Sequence, residues 1–232
     1  MAEPRDPDPS FEEWASEIED LGQAVTYLVQ KRADWWTLQQ VFANNPTLPP
    51  SGLFDFIVSN YLESASVGVR RLVDTDNRTN SLMRLLLRIR DHPELLTRRR
   101  YIDTRGWITN IEDYESEQFD QFVGEPGHLH VPRQCIQDDI DHLKEASSLV
   151  KQYVDKQIAH MDKTPPDKLP TYGDLHDAIG EIETVFKRWY VFLRACDISV
   201  LPIQIYNWFA PLMVPWITDA KSIPIYGQRP PS

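Results

Sequence analysis

The sequence predicts an all-α protein, a bundle of about five to six helices with an extended C-terminal strap rich in Pro and aromatic residues. Three observations carry this. Apolar residues recur at helical spacing through most of residues 10–197. No stretch with the two-residue period of a strand competes before residue 198. Nine Gly stand against eighteen Pro in 232 residues, so the breaks fall at Pro-containing turns, and a glycine-rich phosphate loop is not expected.

Each element has its own signal. Residues 1–9 are acidic and Pro-rich and read as a disordered leader. Ser10 with Glu13 forms a capping box that starts the first helix. Phe11, Trp14, Ile18, Leu21, Val25, Leu28, Val29, Trp35, Leu38, Val41 and Phe42 continue it, and Pro46 ends it. A second helix near 52–74 carries Phe54, Ile57, Val58, Tyr61, Ala65, Val69, Leu72 and Val73. The polar run 75–79 is a turn, and a short third helix near 80–91 presents Leu82, Leu85, Leu86 and Ile89 before His92-Pro93. Residues 94–123 read as helical but irregular, with an acidic stretch at 111–120. The loop 123–130 contains Gly and Pro. A long helix near 132–162 has the stripe Ile136, Ile140, Leu143, Val150, Val154, Ile158 and Met161. Thr171 with Asp174 caps a last helix whose inner face is Leu175, Ile179, Ile182, Phe186, Trp189, Tyr190 and Leu193.

Residues 198–217 contain no charged residue, which is length enough to span a bilayer. Pro202, Pro211 and Pro215 with Gln204 and Asn207 argue instead for a strap packed on the domain or on a partner subunit. The domain map is therefore a leader at 1–9, a helical domain at 10–197, the strap at 198–217 and a tail at 218–232. A 41% hydrophobic content with seven Trp suffices for a buried core. The net charge of −11 disfavours broad, unspecific coating of nucleic acid. Two Cys exclude a disulfide framework and a four-Cys zinc site and fit a reducing compartment. With no apolar signal region at the start, a cytoplasmic protein is the expectation.

Phosphate-loop, dinucleotide, nucleophile-elbow and HExxH motifs are absent. His128 and His130, with Glu125 nearby, are the one close His pair. They read as exposed loop histidines, and neither a metal nor a cofactor is assigned. Charge is uneven: Arg70 to Arg105 holds ten basic and five acidic residues, the rest of the chain 14 and 30. All ten are Arg, which suits bidentate phosphate contacts at Arg70, Arg71, Arg98, Arg99 and Arg100. The other reading pairs them with acidic helices, 111–120 included. Arg71 and Asp74 read as a structural pair at a helix end. Further on, Tyr153, Lys156, Gln157 and His160 share a polar helical face opposite Val154, Ile158 and Met161. His160 suits proton transfer or hydrogen bonding to phosphate.

The Glu-rich first helix, VRRLVD (69–74) followed by DNRTNSL (76–82), YVDKQIAHMDK (153–163) and NWFAPLMVPWI (207–217) together resemble HEPN-domain proteins of the AbiU-like abortive-infection branch. The resemblance spans roughly residues 10–217. It implies a HEPN-like helical bundle, a homodimer, and work in phage defence or toxin–antitoxin pairs. It also implies metal-independent endoribonuclease chemistry by an Arg followed after four to six residues by a His, with a polar residue commonly after the Arg. Here His160 takes the His position, Asp155 that polar position, and Val154 stands where the Arg would be. Arg70 and Arg71, which end a neighbouring helix, are the substitutes to test. Two functions follow as expectations. One is an RNA-directed defence protein that binds or cleaves RNA at His160, Lys156, Tyr153 and Arg71, with an antitoxin or nucleotidyltransferase-type protein as partner. The other is a catalytically silent dimeric interaction module.

Overall fold

The computed structural model describes residues 10–44, 52–105, 112–159 and 168–196. Within them the chain forms seven α-helices: α1 (Phe11–Ala43), α2 (Gly52–Leu72), α3 (Leu82–Asp91), α4 (Arg98–Arg105), α5 (Glu112–Val123), α6 (Arg133–Tyr153) and α7 (Tyr172–Arg194). A 3-10 turn occupies Pro93–Leu95 and a π turn Val154–Ala159. The described part is thus all-α, as the periodicity requires, with more helices than expected. The leader, strap, tail, Met161 and His160 lie outside the described residues.

Both anticipated capping boxes form. Ser10 Oγ accepts from the Glu13 N–H at 3.1 Å while Glu13 Oε2 accepts from the Ser10 N–H at 3.1 Å. Thr171 and Asp174 exchange the same pair at 3.1 and 2.7 Å. Each box satisfies donors that the first helical turn leaves unpaired.

The core lies between α7 and the helices on either side of it. Helix α7 packs along both α1 and α6, while α2 and α3 close the bundle against α6 and α1. Trp14, Ile18 and Val25 of α1, Ile136 and Ile140 of α6, and Phe186 and Trp189 of α7 are fully buried. Burial of each such side chain contributes about 1.5–3 kcal/mol, so the periodic stripes drive the packing. Helices α1 and α2 meet closely at Gly68, where a Cβ would lie 3.0 Å from Leu28 Cδ1.

Three expectations are corrected. The irregular region 94–123 divides into the 3-10 turn, α4 and α5. Its backbone cannot run on as one helix because Leu96–Arg98 is bonded to another segment. The Arg98 N–H donates to Leu129 O at 2.8 Å and the Val131 N–H to Leu96 O at 3.0 Å, around an antiparallel bridge between Thr97 and His130. Secondly, the first turns of α2 are not core. Leu53, Phe54 and Phe56 are exposed, and Ile57 and Val58 only half-buried. Phe54 instead sets its ring edge-on to Phe42 at 4.8 Å. Thirdly, the α-winding expected to run to residue 162 gives way after Tyr153 to the π turn, so Val154–Ala159 does not keep the α-helical register. No helix among the described residues is long and apolar enough to cross a membrane.

Candidate functional site

The segment singled out by sequence, from Tyr153 on, coincides with the π turn, a winding that occurs mostly as single turns and often at functional positions. Val154 is buried at 4% exposure, packed as an apolar side chain. Asp155 is half-buried and uses both oxygens. Arg70 Nε donates to Oδ1 at 2.8 Å and Lys151 Nζ to Oδ2 at 2.6 Å. Partial burial pushes the Asp155 carboxyl upward, but the hydrogen bonds from Lys151 and Arg70 together outweigh it and hold it below the usual carboxylate range. Asp155 is therefore an ionised anchor for two cations.

Arg70 reaches this turn from the last turn of α2 and also pairs with Asp74, one helical turn on. The hydrogen bond that Arg70 donates to Asp155 is the largest cause of a guanidinium pKa held even higher than usual. The guanidinium partner of the Asp74 carboxylate is thus Arg70. The pairing expected for Arg71 does not form, because Arg71 faces a different cleft, between α1 and α2.

Beside the turn lies a cleft of about 410 Å³. Lys144 and Lys151 line it from α6, and Lys156 from the π turn, with Ser147, Ser148 and Asp155. Lys144 lies 3.6 Å from Asp141 and Lys151 holds Asp155, whereas Lys156 makes no ion pair among the described residues. Three ammonium groups against one bound carboxylate give the cleft an excess of positive charge, suited to phosphate as point charges. Tyr153 is half-buried at the end of α6.

Arg98, Arg99 and Arg100 do not gather at this cleft. Arg98 bonds both oxygens of Asp120, Ser116 Oγ at 2.6 Å and the His128 carbonyl at 2.9 Å, and its guanidinium lies over the Phe119 ring at 4.8 Å. It ties α4 to α5 and to the loop after it. Arg99 is exposed beside Asp103 at 2.9 Å. Arg100 donates to the Leu95 carbonyl at 3.3 Å and covers the Phe11 ring at 5.1 Å. Of the loop histidines, His128 lies 3.6 Å from Glu125, and His130 Nδ1 lies 3.2 Å from its neighbour's carbonyl.

Two polar clusters escaped the sequence reading. Between α6 and α7, Asp139 is 4% exposed and accepts from Arg188 at 2.7 Å and from the Trp189 indole at 2.8 Å. Burial pushes its carboxyl above the usual range, against the pull of Arg188. At the junction of α1, α2 and α7, His176 spans two partners. Trp36 Nε1 lies 3.3 Å from its Nδ1 and Tyr61 Oη 2.9 Å from its Nε2. An indole N–H can donate and not accept, so Nδ1 is the bare nitrogen and Nε2 carries the proton. With both nitrogens engaged the ring is a neutral tie between helices. Burial, then the Arg32 charge, hold its pKa below the ordinary 6.5. Arg32 itself donates to the His176 carbonyl at 3.3 Å and pairs with Glu183 at 2.5 Å. Trp35, fully buried, is stacked between Tyr61 and Tyr172 at 4.7 and 5.6 Å. Trp36 and Tyr61 lie 140 and 115 residues from His176 in sequence, so the aromatic density of Trp35, Trp36 and Tyr172 was the sole local hint.

The chain matches the HEPN AbiU2 family model over residues 12–195, from the first turn of α1 to the end of α7. The protein belongs to the AbiU2 family of HEPN domains. The resemblance read from the sequence is thereby shown, and AbiU2 membership suggests an abortive-infection, defence-type function. None of the curated proteins and none of the solved structures matches the chain. In this AbiU2 protein Val154 is buried, and Asp155, the residue after it, is bound by an arginine from another helix.

Proposed function

We propose that this AbiU2 protein is an RNA-directed defence protein that binds RNA along the cleft beside the π turn, and that it acts as a homodimer in the cytoplasm. The observation that carries the reading is the convergence of Lys144, Lys151 and Lys156 on one 410 Å³ cleft next to Asp155, the residue at the motif's polar position. Lysines at a groove track a phosphodiester backbone without reading its sequence. Arg70 contributes by holding Asp155, and stands as the substitute for the missing motif arginine. His160, outside the described residues, is the proton-transfer group of this reading. An antitoxin or nucleotidyltransferase-type protein is the partner expected of such a defence pair.

The test is RNA binding and RNA cleavage in EDTA by the full chain. Binding to single-stranded RNA is expected to weaken with salt and to weaken further in Lys156→Gln. Cleavage that His160→Ala abolishes establishes a metal-independent nuclease working without an arginine at 154. Folded protein that neither binds nor cleaves RNA overturns the proposal.

One observation favours the second reading, a silent dimeric interaction module. Arg70 is committed to two carboxylates, Asp74 and Asp155, which leaves its guanidinium little capacity for phosphate. Restoring the motif with Val154→Arg distinguishes the two if the variant folds. A gain of cleavage means that the chemistry was lost with that one residue.

A further inference from the structure

A second cleft, of about 480 Å³, lies between α1 and α2, where Arg71 points away from the turn that Arg70 holds. Lys31 and Arg71 line it together. The Lys31 ammonium donates to the Ser64 carbonyl at 3.4 Å and sits over the Tyr27 ring at 4.7 Å. Neither cation has a carboxylate within ion-pair distance among the described residues, although Glu63 borders the same cleft. Burial, and next the charge of Arg71, push the Lys31 pKa below the usual lysine range. Two like charges that line one half-enclosed cleft, with no carboxylate among the described residues paired to either, are an unfavourable arrangement. An anion placed between them removes that cost. Most other cations of α2 to α4 are given a carboxylate, which makes this pair an exception in a chain of net charge −11.

We infer that Lys31 and Arg71 form an anion site for a phosphate ester, with Asn60 and Asn80 at its rim as neutral hydrogen-bonding groups and Tyr27 as an exposed ring beside it. The volume lies within the range of small-ligand sites and admits a mononucleotide. Arg71 supplies the planar fork that matches two phosphate oxygens, and Lys31 a point charge from the other wall. Tyr27, 64% exposed, offers a face on which a base can stack. The phosphate can come from a free nucleotide or from the backbone of a single-stranded RNA. The site stands apart from the cleft beside Asp155 and does not depend on RNA binding there.

The experiment is calorimetric titration of the full chain with adenosine monophosphate, adenosine, inorganic phosphate and a short RNA lacking terminal phosphates. It is run on the wild type, Lys31→Gln, Arg71→Gln and Arg78→Gln. Arg78 is 85% exposed and paired with Asp76, so its loss removes one positive charge elsewhere. Melting curves establish that each variant is folded. The expected result is that the monophosphate binds, adenosine does not, and Lys31→Gln or Arg71→Gln weakens binding about tenfold, as loss of one charge-assisted hydrogen bond requires. Arg78→Gln leaves it unaltered. If the RNA binds with the same dependence on Lys31 and Arg71 while the monophosphate does not, the site stands and its phosphate comes from RNA. Binding that none of the phosphate probes shows, or that Arg78→Gln weakens as much as Arg71→Gln, overturns the inference.

Discussion

Ten arginines lie between Arg70 and Arg105, and three lysines line the cleft at the end of α6. Seven of those arginines, 70, 78, 88, 90, 98, 99 and 105, sit against a carboxylate. Arg98 and Arg105 take theirs, Asp120 and Glu115, from the acidic helix α5. Arg105 is buried over the Tyr101 ring at 3.6 Å and also reaches the Val191 carbonyl on α7. Of the lysines at the α6 cleft, Lys151 holds Asp155, Lys144 lies 3.6 Å from Asp141, and Lys156 makes no ion pair among the described residues. A local excess of positive charge along the chain is thus not a positive surface. Arginine forks spent on carboxylates are structural ties, and the charge open to a ligand sits on fewer, less conspicuous side chains.

That contrast can be broken or sharpened by measurement. The largest effect is expected at the most buried tie. Asp139→Ala leaves Arg188 and the Trp189 indole without their acceptor and should cost about 3–5 kcal/mol of stability in denaturant unfolding. Next, if RNA lies in the α6 cleft as proposed, replacing Lys144, Lys151 and Lys156 together by Gln would remove three phosphate contacts worth about 1 kcal/mol each. Single-stranded RNA affinity should then fall about 100-fold, and the salt dependence should flatten. Arg98→Ala should destabilise by about 2 kcal/mol through the loss of the Asp120 and Ser116 bonds, with RNA affinity of the folded fraction unchanged. A stable Arg98→Ala protein that no longer binds RNA would reverse the roles given to the two regions.

The smallest effect is a pH dependence at His176. The groups facing it are Arg32 and Trp36 on α1, Tyr61 on α2, and Tyr172 and Asp177 on α7. Its folded pKa lies below the unfolded value, so the unfolded chain binds the proton more readily. The stability this imposes is fully present above the ordinary histidine range and is lost as pH falls through the folded pKa. Melting temperature should therefore drop on acidification below about pH 6.5 in the wild type, and less steeply in His176→Gln.

Particular residues show what sequence could convey. Ser10 with Glu13 and Thr171 with Asp174 fix helix starts through contacts three residues apart, so they could be read directly. The stripes Ile136–Ile140–Leu143 and Ile182–Phe186–Trp189 declare a buried face by spacing alone. Arg71 and Asp74 show the limit, since spacings of three and four both suit a helical pair, and tertiary packing gave Asp74 to Arg70. Phe54 fits the α2 stripe by spacing, yet it is exposed and sets its ring against Phe42. Of the candidate site, Lys156 was singled out by its polar helical face and Asp155 by the family resemblance. Lys144 and Lys151 were not, because their meeting depends on how α6 ends and on Arg70 arriving from 85 residues away.

The winding of Val154–Ala159 bears on how such a motif is measured. Each backbone bond of a π turn closes over five residues where an α turn closes over four. Residue count is then an unreliable protractor, because the same number of steps subtends different angles in the two windings. A lineage that gains or drops one residue here can absorb the change by rewinding the turn, with α2 and α6 left in place. Alignments that treat spacing as fixed will therefore place a gap where the chain has merely traded one pitch for another.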